Sequence, residues 1–270
     1  MSEKISKIRE WLNKGGFPFE MNVAKIFNES GFQIGQSVLF RDSETAKYRE
    51  TDIIAFITKG IDDVWFNITF VIECKKITNK PWIILKKSPS YKIHKEKILT
   101  FGSNNAMELI QKISKNTSFQ SPLIFPNILE CGYNVVTAFS DKNDSSYAAS
   151  QSVLKAIEYL VNQSNMSRKK FCNIYIPIIA IDGELYESFL DSNNEIEIEE
   201  KRISHFLSNK SFEENGLSVL NVVTSNEIAN YVKELKNQCD NFFIKYEKEL
   251  KDIAKSYPSN VIENPYDHNF

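Results

Sequence analysis

The feature that most constrains this chain is the stretch FVIECKK at residues 70–76, where an apolar run ends in charged side chains. Its first three residues favour a buried strand. Because side chains alternate along a strand, Glu73 and Lys75 leave from one face and Cys74 leaves from the other. A carboxylate and an ammonium are costly to remove from water at such a position. We therefore expect them to serve an ion pair, a metal or a chemical reaction.

A second apolar stretch lies upstream and begins with an acid, Asp52, in the sequence RETDIIAF. The turn signal KGIDD at residues 59–63 separates the two stretches and predicts an antiparallel hairpin. Folding this hairpin brings Asp52 toward Glu73 and Lys75. Further upstream, Glu20 opens an amphipathic helix predicted over 19–29.

This arrangement resembles the PD-(D/E)XK nucleases, which share the restriction endonuclease-like fold. The resemblance rests on Glu20, on Asp52 at a strand start and on Glu73-Cys74-Lys75 at the end of the next strand. RETDIIAF followed by FVIECKK is most similar to the Mrr-type and Holliday-junction-resolvase-like branches. The resemblance implies an α/β protein with an αβββαβ core, in which helices flank a mixed central sheet.

The resemblance also implies an activity, that of a metal-dependent endodeoxyribonuclease in restriction or anti-phage defence. Asp52, Glu73 and the main-chain carbonyl of Cys74 would bind Mg²⁺, for which Mn²⁺ would substitute. Glu20 would bind a second ion or orient a metal-bound water, and Lys75 would position or deprotonate the attacking water. Such ions neutralise phosphate oxygens and lower the pKa of bound water. One or two carboxylates suffice for Mg²⁺, since it keeps several waters.

The same side chains have a purely structural interpretation. Glu20 would then be an acid favoured by the helix N-terminus, Glu73 and Lys75 a surface ion pair, and Asp52 a turn cap. Exposed ion pairs contribute little and would not require apolar strands on both elements, which favours the nuclease interpretation. Two other functions stay open: a non-cleaving nucleic-acid-binding module of the same fold, and a ligand-gated or RNA-cutting effector nuclease.

We expect one domain over residues 1–270, because no clear boundary interrupts the sequence and its length suits one large core. The predicted core covers about 17–182, with an insertion at about 77–130 and a C-terminal strand-helix extension at about 183–270.

The start of the insertion is the most basic part of the chain. Lysines there could hold phosphates, or they could cover a solvated surface above a buried Trp82. Gln151, on a helix predicted over 150–161, is a further candidate contact with DNA. The lysines proposed for nucleic-acid binding are Lys76, Lys80, Lys86 and Lys87.

Hydrophobic periodicity predicts the remaining elements. Pro177 predicts an edge position or a bulge for the strand that contains it, because proline donates no backbone N–H. Helices are predicted at 4–13, 101–115 and 226–254, and strands at 32–40, 132–139, 171–181, within 184–202 and at 217–224.

Charge and cysteine content limit the partners and the location. The net charge is −2, so any phosphate binding must come from a local basic patch. Four scattered cysteines without a CxxC pair predict buried free thiols and no structural zinc. The absence of a bilayer-length apolar run and of a signal-peptide segment predicts a cytoplasmic protein without a membrane partner. The expected partners are DNA, defence-system proteins and a second copy of the chain, because cutting both strands uses two active sites.

Overall fold

The computed structural model describes residues 3–86, 100–114, 123–140, 144–167, 169–208 and 218–257. The helices are α1 (Glu3–Lys14), α2 (Phe17–Glu29), α3 (Asn104–Ser114), α4 (Ser145–Met166), α5 (Ile228–Lys245) and α6 (Glu247–Ser256), with a 3-10 turn at Ile128–Glu130. The strands are β1 (Gln33–Arg41), β2 (Tyr48–Ile61), β3 (Val64–Lys76), β4 (Trp82–Leu85), β5 (Phe101–Gly102), β6 (Asn134–Thr137), β7 (Phe171–Asp182), β8 (Leu185–Leu190), β9 (Ile196–Lys201), β10 (Ile203–Ser208) and β11 (Ser218–Thr224).

The main sheet is mixed and has the strand order β1-β2-β3-β7-β11-β10. The first three strands form an antiparallel meander, β7 runs parallel to β3 and β11 runs parallel to β7. The predicted hairpin is confirmed, because β2 and β3 are joined by a tight turn at Asp62–Asp63. The α/β class and the mixed central sheet flanked by helices are thereby confirmed.

Helices cover both faces of this sheet, which explains why the central strands are apolar throughout. Helices α2, α3, α5 and α6 pack on one face, together with Phe70 of β3. Helix α4 packs on the other face, together with Val71. Both residues are fully buried, so β3 is buried on its two sides, as strands between two helical layers are.

A second, smaller sheet has the order β6-β4-β8-β9 and joins the predicted insertion to the C-terminal part. Trp82 of β4 is fully buried. Its indole Nε1 donates a hydrogen bond to Ser145 Oγ at 3.1 Å, at the beginning of α4. The second sheet therefore packs against the start of the helix that covers the main sheet, and Trp82 lies in the core.

The prediction of an edge position or a bulge at Pro177 is wrong. Pro177 lies in the central strand β7 and pairs in register with Val71. On the other side of β7, the pairing with β5 extends only as far as Tyr175, and the pairing with β11 begins at Ile178. The proline falls in the gap between these two neighbours, where no ladder bond is needed. Asn221 Nδ2 donates to the Pro177 carbonyl at 3.0 Å and satisfies that oxygen.

Three other elements differ from their predictions. The helix predicted over 226–254 is two helices, α5 and α6, separated at the buried Tyr246, whose backbone is not helical (φ −108, ψ 23). The segment 184–202, for which a strand was predicted, forms a hairpin of two strands, β8 and β9, and β9 is exposed. The helix predicted from residue 101 begins at Asn104, after β5. The four cysteines are buried free thiols, as predicted.

We predict that Gly132→Ala will lower the free energy of unfolding by about 1–3 kcal/mol, because it overpacks the space beside β4. An added Cβ would lie 2.3 Å from Ile84 Cγ2 and 2.8 Å from the Leu85 carbonyl oxygen. Urea denaturation measures the loss. Gly35→Ala is the control, because its new methyl meets only the flexible Val38 side chain at 3.0 Å. Equal losses in the two variants would contradict the prediction.

Candidate active site

The main sheet forks at the place where the predicted site residues lie. The β2–β3 ladder ends at the pair Ile53–Ile72. Beyond it, β2 stays paired with β1, and β3 stays paired with β7 from Glu73 to Lys76. We call this divergence the fork; one prong is β1–β2 and the other is β3–β7. Asp52 lies at the base of the first prong and Glu73 at the base of the second.

Asp52 links the two prongs across the fork. Its Oδ2 accepts a hydrogen bond from the backbone N–H of Cys74 at 2.7 Å. That N–H lies where the β2–β3 ladder has already ended, so the carboxylate takes the place of a strand carbonyl. Asp52 is thus held in position by the same break in pairing that opens the fork.

Glu73 is held through both of its carboxylate oxygens. Lys75 Nζ donates to Oε1 at 2.6 Å, and Ser152 Oγ of α4 donates to Oε2 at 3.0 Å. The Glu73 residue is only 5% exposed, whereas the Lys75 side chain is 33% exposed. A buried acid therefore lies beside an ammonium that solvent and ligands can reach.

Three carboxyl groups at the fork have raised pKa values. Burial raises the pKa of Glu73, the charge of Asp52 adds to this, and Lys75 opposes it. Burial also raises the pKa of Asp52, against the Cys74 N–H bond. The pKa of Glu20 is raised by burial and then by the charge of Asp52. The three acids therefore interact electrostatically and share one nearby ammonium.

The protonation state of Lys75 is set by these acids. Burial lowers its pKa, but the neighbouring charge of Glu73 and the hydrogen bond to it, together with the charge of Asp52, outweigh burial and raise the pKa. In this arrangement Lys75 is a stable cation. The sequence alone could not decide between these opposing effects.

The structure brings Glu20, Asp52, Glu73 and Lys75 together, although they are far apart in the sequence. Glu20 lies in the first turn of α2, close enough to Asp52, Glu73 and Lys75 for their charges to affect its pKa. The other three come from β2 and β3, on the face of the sheet that α4 covers. Cys74 points to the opposite face and packs in the core with α2, which leaves its main chain at the fork.

The predicted basic residues are more dispersed. Lys76 Nζ donates to the Asn13 carbonyl at 2.7 Å, near the end of α1. Lys86 Nζ contacts Glu187 Oε1 at 3.1 Å and the Glu130 carbonyl. Lys80 is exposed between β3 and β4. Lys87 lies outside the described residues.

Helix α4 contributes a residue that the sequence reasoning missed. Gln151 is half-buried, but it is the next residue, Ser152, whose hydroxyl reaches Glu73. Nothing in the sequence singles out Ser152, because serine is common in helices and the contact joins distant segments. The helix was predicted, but which of its side chains meets the fork depends on how it rotates against the sheet.

Helix α4 also contacts the β1–β2 prong, through Lys155. Lys155 Nζ donates to Asp42 Oδ2 at 3.1 Å and to Glu44 Oε2 at 2.6 Å, in the β1–β2 connection. Asp42 is fully buried, and Arg49 Nε lies 2.7 Å from its Oδ2. Ser152 and Lys155 are about one helical turn apart, so one helix forms hydrogen bonds with both prongs of the fork.

The donor set at the fork fits a hard divalent cation. Carboxylate and carbonyl oxygens suit Mg²⁺ and Mn²⁺, and a cation bound beside these buried acids would favour their charged forms. Within the described ranges, no group of three or more His, Cys, Asp or Glu side chains is arranged to hold a metal ion. Mg²⁺ needs only one or two carboxylates, which Asp52 and Glu73 supply.

Comparisons of the chain with protein-family models, with curated proteins and with solved structures find no match. Among the described residues, no helix is long and apolar enough to cross a membrane.

We predict that Ser152→Ala will raise the pKa of Glu73 further, because it removes a hydrogen bond that favours the charged carboxylate. Carbon-detected NMR titration of the side-chain carboxyl measures this pKa. The matched control is Ser150→Ala on the same helix, since Ser150 Oγ donates to the Ser146 carbonyl at 2.7 Å and not to Glu73. An unchanged pKa of Glu73 in Ser152→Ala would contradict the assigned contact.

A second prediction concerns acid stability. Although burial opposes it, the Lys155 ammonium and the N–H groups of Thr45 and Glu44 hold the pKa of Asp42 well below its usual range. A lowered folded-state pKa stabilises the fold above the unfolded pKa, about 3.9, and this contribution is lost as pH falls. Asp42→Asn should therefore be less stable than wild type at pH 7, and the difference should shrink below about pH 4. Urea denaturation at each pH measures it, and a pH-independent difference would refute the prediction.

Proposed function

We propose that this chain is a metal-dependent endodeoxyribonuclease with a restriction endonuclease-like fold. The observation that carries the proposal is the convergence of Glu20, Asp52, Glu73 and Lys75 at the fork. The chain order α2, β1, β2, β3, α4, β7, with β3 parallel to β7, supports it, because the resembled family has an αβββαβ core.

Asp52, Glu73 and the Cys74 main-chain carbonyl would hold Mg²⁺, and Glu20 would hold a second ion or a water bound to the first. When bound, such an ion neutralises phosphate oxygens and lowers the pKa of a water ligand. Ser152 holds Glu73 and the Cys74 N–H holds Asp52. These two acids therefore need not reorganise when the substrate binds.

Lys75 would act on the substrate as a cation. Its pKa is raised, so it donates hydrogen bonds rather than accepting protons in this arrangement. A partly exposed ammonium at the fork would hold a phosphate oxygen or orient the attacking water, and would stabilise the negative charge that develops there.

The substrate and the biological role rest on further steps. DNA is proposed as substrate because the site chemistry suits phosphodiesters and the resembled branches act on DNA. Defence against phage, with defence-system partners in the cytoplasm, rests on the resemblance alone. Lys80 is exposed near the end of β3 and could contact the backbone of the nucleic acid.

The test is nicking of supercoiled plasmid with Mg²⁺ or Mn²⁺, read as open-circular and linear product on a gel. We predict that Asp52→Asn and Lys75→Met will each lower the rate by about 100-fold or more. The matched controls are Asp62→Asn and Lys59→Met at the opposite end of the β2–β3 hairpin, where both side chains are exposed. They should cleave at the wild-type rate with unchanged melting curves.

Near wild-type cleavage by Asp52→Asn or Lys75→Met would refute the assignment of the site. A wild-type chain that binds plasmid without cutting it would favour the non-cleaving module. A parallel reaction with single-stranded and duplex RNA separates a ribonuclease from the proposed deoxyribonuclease. Titration with Mn²⁺ by calorimetry tests metal binding without activity, and it should lose its heat in Asp52→Asn.

A further inference from the structure

Helix α1 has an apolar stripe that nothing in the described structure covers. None of its residues is buried. Ile8 is 48% exposed and Trp11 is 63% exposed, and the stripe continues into α2 through Phe17, whose ring centroid lies 5.6 Å from that of Trp11. Continuous apolar patches of this kind are unusual on the surface of a monomer and mark interaction sites.

The charges on α1 divide into paired and unpaired groups. Its acids lie away from the stripe and are neutralised within the helix, by Lys7–Glu3 at 2.5 Å and Lys14–Glu10 at 2.8 Å. Lys4 and Arg9 have no ion pair within the part of the chain that the structure describes. At about 100° per residue, Lys4 lies at the N-terminal end of the stripe, in line with Ile8 and Trp11, and Arg9 borders the stripe on the side of Ile5. The uncovered surface of α1 is therefore apolar with a basic margin.

The β8–β9 hairpin presents a second uncovered apolar surface. Leu190 pairs directly with Ile196, and Ser188 pairs with Ile198, so these side chains lie on one face. Leu190, Ile196 and Ile198 are 58%, 71% and 56% exposed. The opposite face carries the fully buried Leu185. We call the exposed side the outer face of the hairpin.

The outer face has an acidic margin. Tyr186, which pairs with Glu200, donates a hydrogen bond to Glu184 Oε2 at 3.3 Å, so the two acids flank one end of the face. Glu195 lies beside the other end. None of these three acids forms an ion pair with a described residue. The stripe of α1 and the outer face of the hairpin are thus apolar centres with margins of opposite sign, neither of them covered by a described residue.

Neither surface is well suited to pair with the same surface of a second copy of the chain. If β9 paired antiparallel with a second β9 about Ile198, Glu197 would lie opposite Glu199 and the like charges would repel. If two α1 helices met through their apolar stripes, the basic margins formed by Lys4 and Arg9 would face each other without an acid between them, because Glu3 and Glu10 lie away from the stripe. Pairing of α1 with the outer face instead places cations against acids around a shared apolar centre.

We propose that α1 of one copy of this chain docks on the outer face of the β8–β9 hairpin of a second copy. In a two-fold dimer the contact occurs twice, whereas a head-to-tail arrangement would close into a ring or extend. The proposal does not depend on nuclease activity, because neither surface includes a residue of the fork.

The test uses two charge-reversed variants of the full chain and sedimentation equilibrium. Lys4→Glu/Arg9→Glu makes both surfaces acidic, and Glu184→Lys/Glu200→Lys makes both basic. Each variant alone should associate at least about tenfold more weakly than wild type, because like charges then meet. An equimolar mixture should associate again, since each α1 then meets an outer face of opposite charge. Circular dichroism confirms that both variants fold.

Three outcomes would overturn the proposal. The first is a wild-type chain that stays monomeric at high micromolar concentration in low salt. The second is loss of association in both variants without recovery in the mixture, which would assign the two surfaces to different partners. The third is a wild-type monomer that binds phosphatidylserine vesicles through α1, which would assign the helix to a lipid surface. The uncharged variant Trp11→Ala should also weaken association, independently of charge.

Discussion

The hydrogen bond from the Cys74 N–H to Asp52 Oδ2 is the contact on which the site depends. Where β2 and β3 stop pairing, a backbone donor would be left without a strand acceptor, and an unmade bond of this kind is costly when buried. The Asp52 carboxylate satisfies that donor. The same interruption of the ladder therefore separates the two prongs and fixes an acid at their base, so the geometry of the sheet determines the geometry of the site.

The fork in turn depends on α4, whose contacts with the two prongs involve Glu73 on one side and Asp42 on the other. Asp42 is fully buried, and a buried carboxylate without partners would be strongly destabilising. The Lys155–Asp42 contact and the buried apolar residues of α4 together hold the helix on the sheet. That position brings the Ser152 hydroxyl to Glu73, so a structural ion cluster also orients the candidate catalytic acid.

Alternation and a two-residue spacing predicted the strands of the fork and the shared face of Glu73 and Lys75, because these are local properties. The turn signal added Asp52, and the family resemblance singled out Glu20. They did not predict Ser152 or Asp42, whose contacts with Glu73 and Lys155 span 79 and 113 residues. Pro177 shows the same limit. The rule that proline avoids central strands concerns ladder bonds, and the gap beside β7 that removes the need for one depends on the order of distant strands.

The carboxylates near the fork separate into two classes that bear on function. Asp42 accepts hydrogen bonds from two backbone N–H groups and the Lys155 ammonium, forms an ion pair with Arg49, and has a lowered pKa. Glu20, Asp52 and Glu73 have raised pKa values, chiefly because burial disfavours their charged forms; the charge of Asp52 adds to this at Glu20 and Glu73, and Lys75 opposes it at all three. An acid kept only for structure is satisfied by its neighbours, as Asp42 is. Acids that a fold brings together without enough positive charge favour a site that binds a cation.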